Sequence, residues 1–208
     1  MYKRRKGDDF MKKIITISRQ FGSGGRTIGK AVAEKLGYKC YDMELVEMVA
    51  KETGFDPSFI ADAGEYAPGK SILSYALTSA FPHGGQGQMN ASDYLWSTQC
   101  KIINELADKG GCVIVGRCAD YILKDRADTL NVFIYADDEY RKKRIVELYG
   151  ERDASPQKRI EDKDARRRVN YKYFTGRVWG ETSNYHICLD SSVIGHDECV
   201  DIIAGIAE

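Results

Sequence analysis

A chain of 208 residues with 31 basic and 31 acidic side chains and zero formal net charge makes one sizeable domain, and that balance draws it neither to nucleic acid nor to an anionic membrane. Six cysteines (Cys40, Cys100, Cys112, Cys118, Cys188 and Cys199) show no CxxC pair or metal-ligand spacing and read as reduced, mostly buried thiols of a cytoplasmic protein. No run approaches the roughly 18 apolar residues of a membrane span, and the opening MYKRRKGDDF lacks a signal peptide's apolar stretch.

Residues 1–12 read as a disordered N-terminal extension ahead of a single domain over 13–208. The first apolar run, Ile14-Ile15-Thr16-Ile17, is short and β-branched and leads straight into a glycine-rich turn, as a central strand buried on both faces does. Ile28, Ala31, Val32 and Leu36 then recur at helical spacing up to Gly37, where a helix C-terminal glycine belongs. Residues 38–41 give a second strand. Asp42 is placed to cap the following helix, which carries Leu45, Val46 and Val49.

Residues 54–92 contain three of the chain's four prolines and a GGQG stretch at Gly84–Gly87, so regular structure is weakest there and the segment reads as an insertion. Helical spacing returns from Leu95 to Leu106. Cys112–Val115 and Leu130–Tyr135 are the next strands, with a helix from about Asp138 to Leu148 after them. The charged stretch from Gln157 to Tyr173 has no apolar stripe wide enough for a core helix and is expected to lie with one face over solvent or ligand, as a helical lid spanning 151–182 would. Tyr185–Leu189 is the last strand, Asp190-Ser191-Ser192 its exit loop, and Cys199–Ile206 the closing helix. Strands alternating with helices predict a three-layer α/β/α fold around a five-stranded parallel sheet. Charge is uneven along it: residues 41–66 carry seven acids against Lys51, whereas 141–168 carry eleven bases against six acids. The basic block is a candidate anion site.

The turn after the first strand aligns with the phosphate-binding motif GxxxxGK[ST], in which backbone N–H groups wrap the phosphates, a lysine reaches them and a hydroxyl ligates magnesium. Its register here is Gln20-Phe21-Gly22-Ser23-Gly24-Gly25-Arg26-Thr27. Gln20 replaces the first glycine and Arg26 the lysine. Gly22, Ser23, Gly24, Gly25, Arg26 and Thr27 are therefore the candidate nucleotide-binding residues, with Thr27 opening a helix whose dipole favours anions. A guanidinium binds phosphate well but differs in size and geometry from an ammonium.

Taken with this loop, the segments ITISRQFGSGGRTIG, YDMELV, CVIVGRCADYIL, KDARRRVNYKYF and LDSS resemble the cytidylate kinase-like family, a branch of the nucleoside-monophosphate kinases, from about Ile14 to Ile206. The resemblance implies a nucleotide loop, an inserted monophosphate-binding region and a lid, with ATP and Mg2+ as cofactors. It implies that Thr27 and Asp42 serve the metal, and that Arg117 grips the substrate phosphate. Cys118 stands where the family usually has aspartate, with Asp120 the acid placed to compensate. By the same resemblance Arg159, Lys163, Arg166 and Arg167 are lid cations, Arg159 and Arg166 foremost, and Ser191 belongs to the loop that contacts adenine.

The expected activity is Mg- and ATP-dependent phosphoryl transfer to a small acceptor, CMP or dCMP first, with Arg26, Arg117, Arg159, Arg166 and Asp42 as catalytic candidates. No nucleic-acid or membrane partner is expected, and a homo-oligomer is compatible with this reading. Gln20 and Arg26 are equally compatible with a nucleotide- or anion-binding module that lacks kinase activity. A sulfotransferase-like protein, whose loops also cradle phosphate with a degenerate motif, is the third reading.

Overall fold

The computed structural model describes residues 13–63 and 91–208. The expected N-terminal extension and the middle of the expected insertion, residues 64–90 with the GGQG stretch, lie outside the described residues. In chain order the structure runs β1 (Ile14–Arg19), α1 (Gly25–Leu36), β2 (Lys39–Tyr41), α2 (Met43–Thr53) and α3 (Pro57–Ala63). After residue 90 follow α4 (Ala91–Lys109), β3 (Cys112–Val115), α5 (Ala119–Ile122), β4 (Thr129–Tyr135), α6 (Asp138–Tyr149) and α7 (Pro156–Thr175). A 3-10 turn (Thr182–Asn184), β5 (Ile187–Asp190), α8 (Ser191–Ile194) and α9 (His196–Ala207) complete it.

All five strands are parallel, in the order β2-β3-β1-β4-β5. β1 is central, with Ile14 opposite both Cys112 and Thr129. Side chains of a strand alternate between faces, and both faces of β1 are covered. Ile14 joins Leu45, Val49, Ile103, Leu106 and Ile114 on the side of α2 and α4. Ile15 and Ile17 join Ile28, Val32, Val132, Cys199 and Ile203 on the side of α1 and α9. Each isoleucine buried in this way contributes roughly 1.5–3 kcal/mol.

Thr16 and Ser18, on the same face as Ile14, break the apolar pattern toward the end of the strand that leads to the loop. Thr16 donates to Asn131 Oδ1 at 2.7 Å and Ser18 to Asp120 Oδ1 at 3.2 Å, both buried. Polar groups inside a core need such partners, and these pairs form the floor beneath the glycine loop.

Two details differ from the sequence expectation. The last strand begins at Ile187, because the 3-10 turn precedes it and the backbone of Tyr185 still belongs to that turn, its N–H donating to Thr182 O at 3.1 Å. Asp190-Ser191-Ser192 is not an open loop: Asp190 accepts the Ser192 N–H at 3.0 Å and caps the short helix α8. Among the described residues no helix is long and apolar enough to cross a membrane. Cys112, Cys118 and Cys199 are buried, the other three cysteines half-buried, and all six are free thiols.

Candidate functional site

The glycine loop leaves β1 at Gln20 and enters α1 at Gly25, with Ile28 N–H bonding Gly24 O at 2.9 Å to start the helix. Gly22 and Gly24 have φ of 85° and 82°, the left-handed conformation that turns successive amides toward one point. A Cβ on Gly24 would lie 2.1 Å from His196 Nε2, so α9 backs directly onto the loop. Burial, and then the nearby Arg144, hold the His196 imidazole below its usual pKa, and the ring shares a 3.1 Å hydrogen bond with the Tyr140 hydroxyl.

Gln20 is no mere degenerate glycine. Its N–H donates to Ile134 O at 2.9 Å and its side-chain oxygen accepts from Ala136 N at 3.1 Å, fastening the loop to the end of β4. Ser23 is fully buried and donates to Gln20 O and Ile134 O. Ser191 donates to Ser23 O at 2.6 Å and Tyr135 O at 3.1 Å. The hydroxyls of Ser23 and Ser191 thus work underneath the loop, and neither residue lines the cleft above it.

That cleft, about 620 Å³, is lined by Gly22, Gly24, Gly25, Arg26, Thr27, Asp42, Arg117, Arg159 and Arg166 among others. The sequence candidates, apart from the two serines, therefore meet in one place. Its walls carry nine arginine or lysine side chains against two acids, Asp42 and Asp162. A groove so biased focuses a positive field on whatever enters it.

Arg26 reaches across to Asp42 and forms an ion pair through Nε and Oδ2. Asp42 occupies the N-cap position of α2 but makes no side-chain capping bond, because its backbone is at φ −132°, ψ −84°. Its carboxylate faces the loop instead. Thr27 accepts a 2.9 Å hydrogen bond from Arg144.

At the end of β3, Gly116, Arg117 and Cys118 all have positive φ (77°, 58° and 54°). Non-glycine residues rarely adopt this conformation, and each such residue costs on the order of 1–3 kcal/mol. Gln99 holds the turn by donating to Arg117 O at 3.0 Å, and Arg117 Nη1 reaches Ile60 O at 3.1 Å. The turn therefore throws Arg117 from the sheet edge toward α3. Burial, chiefly, raises the pKa of the Cys118 thiol. Asp120 does not compensate for it in the cleft: it lies 2% exposed below, accepting from Ser18 and, at 2.6 Å, from Tyr171, and burial raises its pKa.

The helix α7 lies along the cleft without an apolar stripe because it buries polar groups instead, Asp164 and Asn170 beside Ile160 and Tyr171. Asp164 accepts from Phe21 N at 2.8 Å, from Arg141 at 2.7 Å and from Arg167 at 3.3 Å. Arg159 lines the cleft while donating to Gly150 O and Ile145 O at the end of α6. Arg166 is half-buried on the cleft wall, and Arg168 is exposed outside it. Most aromatic residues here pack: Phe174 stacks on Trp96 at 4.5 Å, and Trp179, which also lines the cleft, meets Phe133 edge-on at 5.4 Å.

Sequence reasoning missed Arg141, Asp164 as a loop anchor, Arg144 on Thr27, and Arg19 and Arg152 in the cleft wall. The one available signal was Asp164, an acid embedded in the basic block.

The profile of the cytidylate kinase-like family matches residues 14–193. The chain belongs to the cytidylate kinase-like family. Search of the curated proteins finds no match. Among solved structures, the chain is similar to an uncharacterized protein from Eubacterium ventriosum ATCC 27560, at 26% identity and TM-score 0.69 over 93% of this chain and 97% of that one. It is also similar to shikimate kinase from Bacteroides thetaiotaomicron, at 14% identity and TM-score 0.53, covering 93% of this chain and 97% of the other. A gluconokinase from Sinorhizobium meliloti 1021 matches at 14% identity and TM-score 0.51 over 95% and 94%. At such identities the two kinases share the fold. Family and fold together support nucleotide-dependent phosphoryl transfer by a small-molecule kinase.

The family implies magnesium, and the donors fit it. Thr27 Oγ1 and the Asp42 carboxylate are hard oxygen ligands on the same cleft, and no cluster of three or more His, Cys, Asp or Glu occurs among the described residues. Magnesium beside a nucleotide takes one or two protein oxygens and fills its shell with phosphate and water.

Proposed function

We propose that this protein transfers the γ-phosphoryl group of ATP to a small phosphate-bearing acceptor, with CMP and dCMP the first candidates. The carrying observation is the cleft itself, where a nest of loop amides, Thr27, Asp42, Arg117 and the α7 cations converge on one strongly basic space.

In this reading the loop amides from Gly22 to Thr27 hold the ATP phosphates, assisted by the helix dipole of α1. Arg26 exchanges its Asp42 partner for phosphate oxygens. Arg117, projected by its strained turn, binds the acceptor phosphate. Arg166 and Lys163 close the charge around the reacting group from α7, where positioning and neutralisation supply most of the rate. Magnesium, bound through Thr27 and Asp42, would neutralise charge on the β- and γ-phosphates. Asp42 orients metal or acceptor once Arg26 has left it.

The ion pair between Arg26 and Asp42 gives weight to a second reading, a nucleotide-binding module without turnover, because it occupies both the loop cation and the acid. ADP release from MgATP, measured with a panel of nucleoside monophosphates and with shikimate and gluconate, decides between them. At least a tenfold stimulation by CMP or dCMP over the acceptor-free rate is expected. ATP binding without stimulation by any acceptor would establish the module. Preference for a 3′,5′-bisphosphate nucleotide over ATP would instead establish the sulfotransferase-like reading.

A further inference from the structure

Arg19 ends the central strand β1, immediately before the loop, and lines the cleft half-buried. Two glycines make room for its side chain. A Cβ on Gly25, in the loop, would lie 2.5 Å from Arg19 Cβ and 2.9 Å from Cγ. A Cβ on Gly116, at the exit of β3, would lie 1.9 Å from Arg19 Nη1 and 3.1 Å from Cζ. A methyl group on Gly25 would collide with the base of the Arg19 side chain, and one on Gly116 would displace its guanidinium. The arginine therefore lies across the cleft floor, from the phosphate loop to the turn that carries Arg117. Its backbone carbonyl is fixed from above by Arg167 Nη1 at 3.2 Å.

This path starts at the loop residue Gly25 and ends at Gly116, next to Arg117, so it joins the residues assigned to the two substrates. The loop on one side holds the donor phosphates, and Arg117 on the other holds the acceptor. The cation expected at this point in a phosphate-binding loop is the lysine, whose position Arg26 fills while pairing with Asp42.

We propose that Arg19 is the cation that contacts the transferred γ-phosphoryl group, taking over at the cleft floor the task a loop lysine performs elsewhere. The inference rests on the phosphoryl-transfer reading above. As an acceptor oxygen bonds to the γ-phosphorus, the bond to the β–γ bridging oxygen breaks and its electron pair leaves with ADP. Charge spreads over the three peripheral oxygens during that step. A planar guanidinium donating to two of them stabilises that charge, and the Arg19 stem is already confined between the two glycine backbones.

Calorimetric titration of wild type, Arg19→Ala and Gly116→Ala with Mg·ADP and with Mg·β,γ-imido-ATP tests this without any acceptor. Arg19→Ala is expected to weaken the imido-ATP complex at least tenfold while changing ADP affinity less than twofold. Gly116→Ala, which evicts the guanidinium but keeps the charge on the chain, should show the same selective loss to a smaller extent. Unchanged ADP affinity in either variant reports an intact loop. Equal losses for both nucleotides, or none for either, would overturn the role of Arg19 while leaving the kinase reading in place. A wild-type protein that binds neither nucleotide would overturn that reading, and this inference with it.

Discussion

The two ends of the cleft are built differently. At the donor end the loop is tied to its surroundings by buried and part-buried bonds: Gln20 to β4, Ser23 to Ile134 O, Ser191 to Ser23 O, and Phe21 N–H to the buried Asp164. The Arg141–Asp164 ion pair beneath it is 7% and 5% exposed. At the other end, where the loop cation Arg26 meets Asp42 and Arg117 reaches toward α3, the pairs are open. The Arg26 side chain is 47% exposed where it meets Asp42, and Arg117 is half-buried, with Nη1 donating to Ile60 O at 3.1 Å. Buried charges exchange partners at high cost, exposed ones at almost none. One end is a fixed cradle, and the other is a set of charges able to change partners when substrate arrives.

Breaking the fixed end is expected to produce the largest effect. Asp164→Ala removes the carboxylate shared by Phe21 N–H, Arg141 and Arg167, leaving the buried Arg141 with Asp138 as its remaining acid. Destabilisation of about 3–5 kcal/mol is expected, with Tm falling on the order of 10 °C and nucleotide affinity falling with it. Thermal unfolding followed by circular dichroism measures the first, calorimetry the second. A fall of less than 1 °C would show that the loop stands without this anchor.

Ser191→Ala probes the same cradle more gently. It removes the donor to Ser23 O and Tyr135 O and leaves both carbonyls short of a partner inside the protein. Such a loss costs about 1–3 kcal/mol. Weaker ADP binding should accompany it, although Ser191 does not line the cleft. Unchanged stability together with weaker binding would instead assign the hydroxyl to the nucleotide itself.

The sheet was legible because its three inner strands are rich in β-branched residues, as a parallel sheet buried on both faces demands. The glycine loop was legible because its geometry follows from local sequence. The short helices α3, α5 and α8 were not, since four to seven residues give too few repeats for a helical period. The helix α7 was read from its charged stretch and not from an apolar stripe, because the stripe it buries is largely polar. Its anchor, Asp164, looked like a partner for arginines on its own helix, and only one of its bonds, to Arg167, is of that kind. The path of Arg19 depends on two glycines from separate segments, a relation that no linear motif expresses. For Asp42 the sequence offered capping and a role in the site as compatible alternatives, and the backbone angles at that residue remove the first.

The smallest expected change in stability belongs to the open end, and it sharpens the comparison most. Asp42→Asn keeps the shape of the side chain while removing the charge that pairs with Arg26. Asp42 is buried, but its partner Arg26 is nearly half exposed and screened by water, so the pair is worth about 1 kcal/mol and Tm should fall by no more than about 4 °C. Arg26 is released toward the phosphates, so ATP affinity should hold or rise. Turnover should nevertheless fall at least tenfold, because the carboxylate that Arg26 vacates is the one assigned to metal or acceptor. Steady-state ADP release beside ATP calorimetry separates the two quantities. A variant that lost stability as Asp164→Ala does would make the open end as rigid as the fixed one. One that kept full turnover would reduce Asp42 to a resting partner for Arg26.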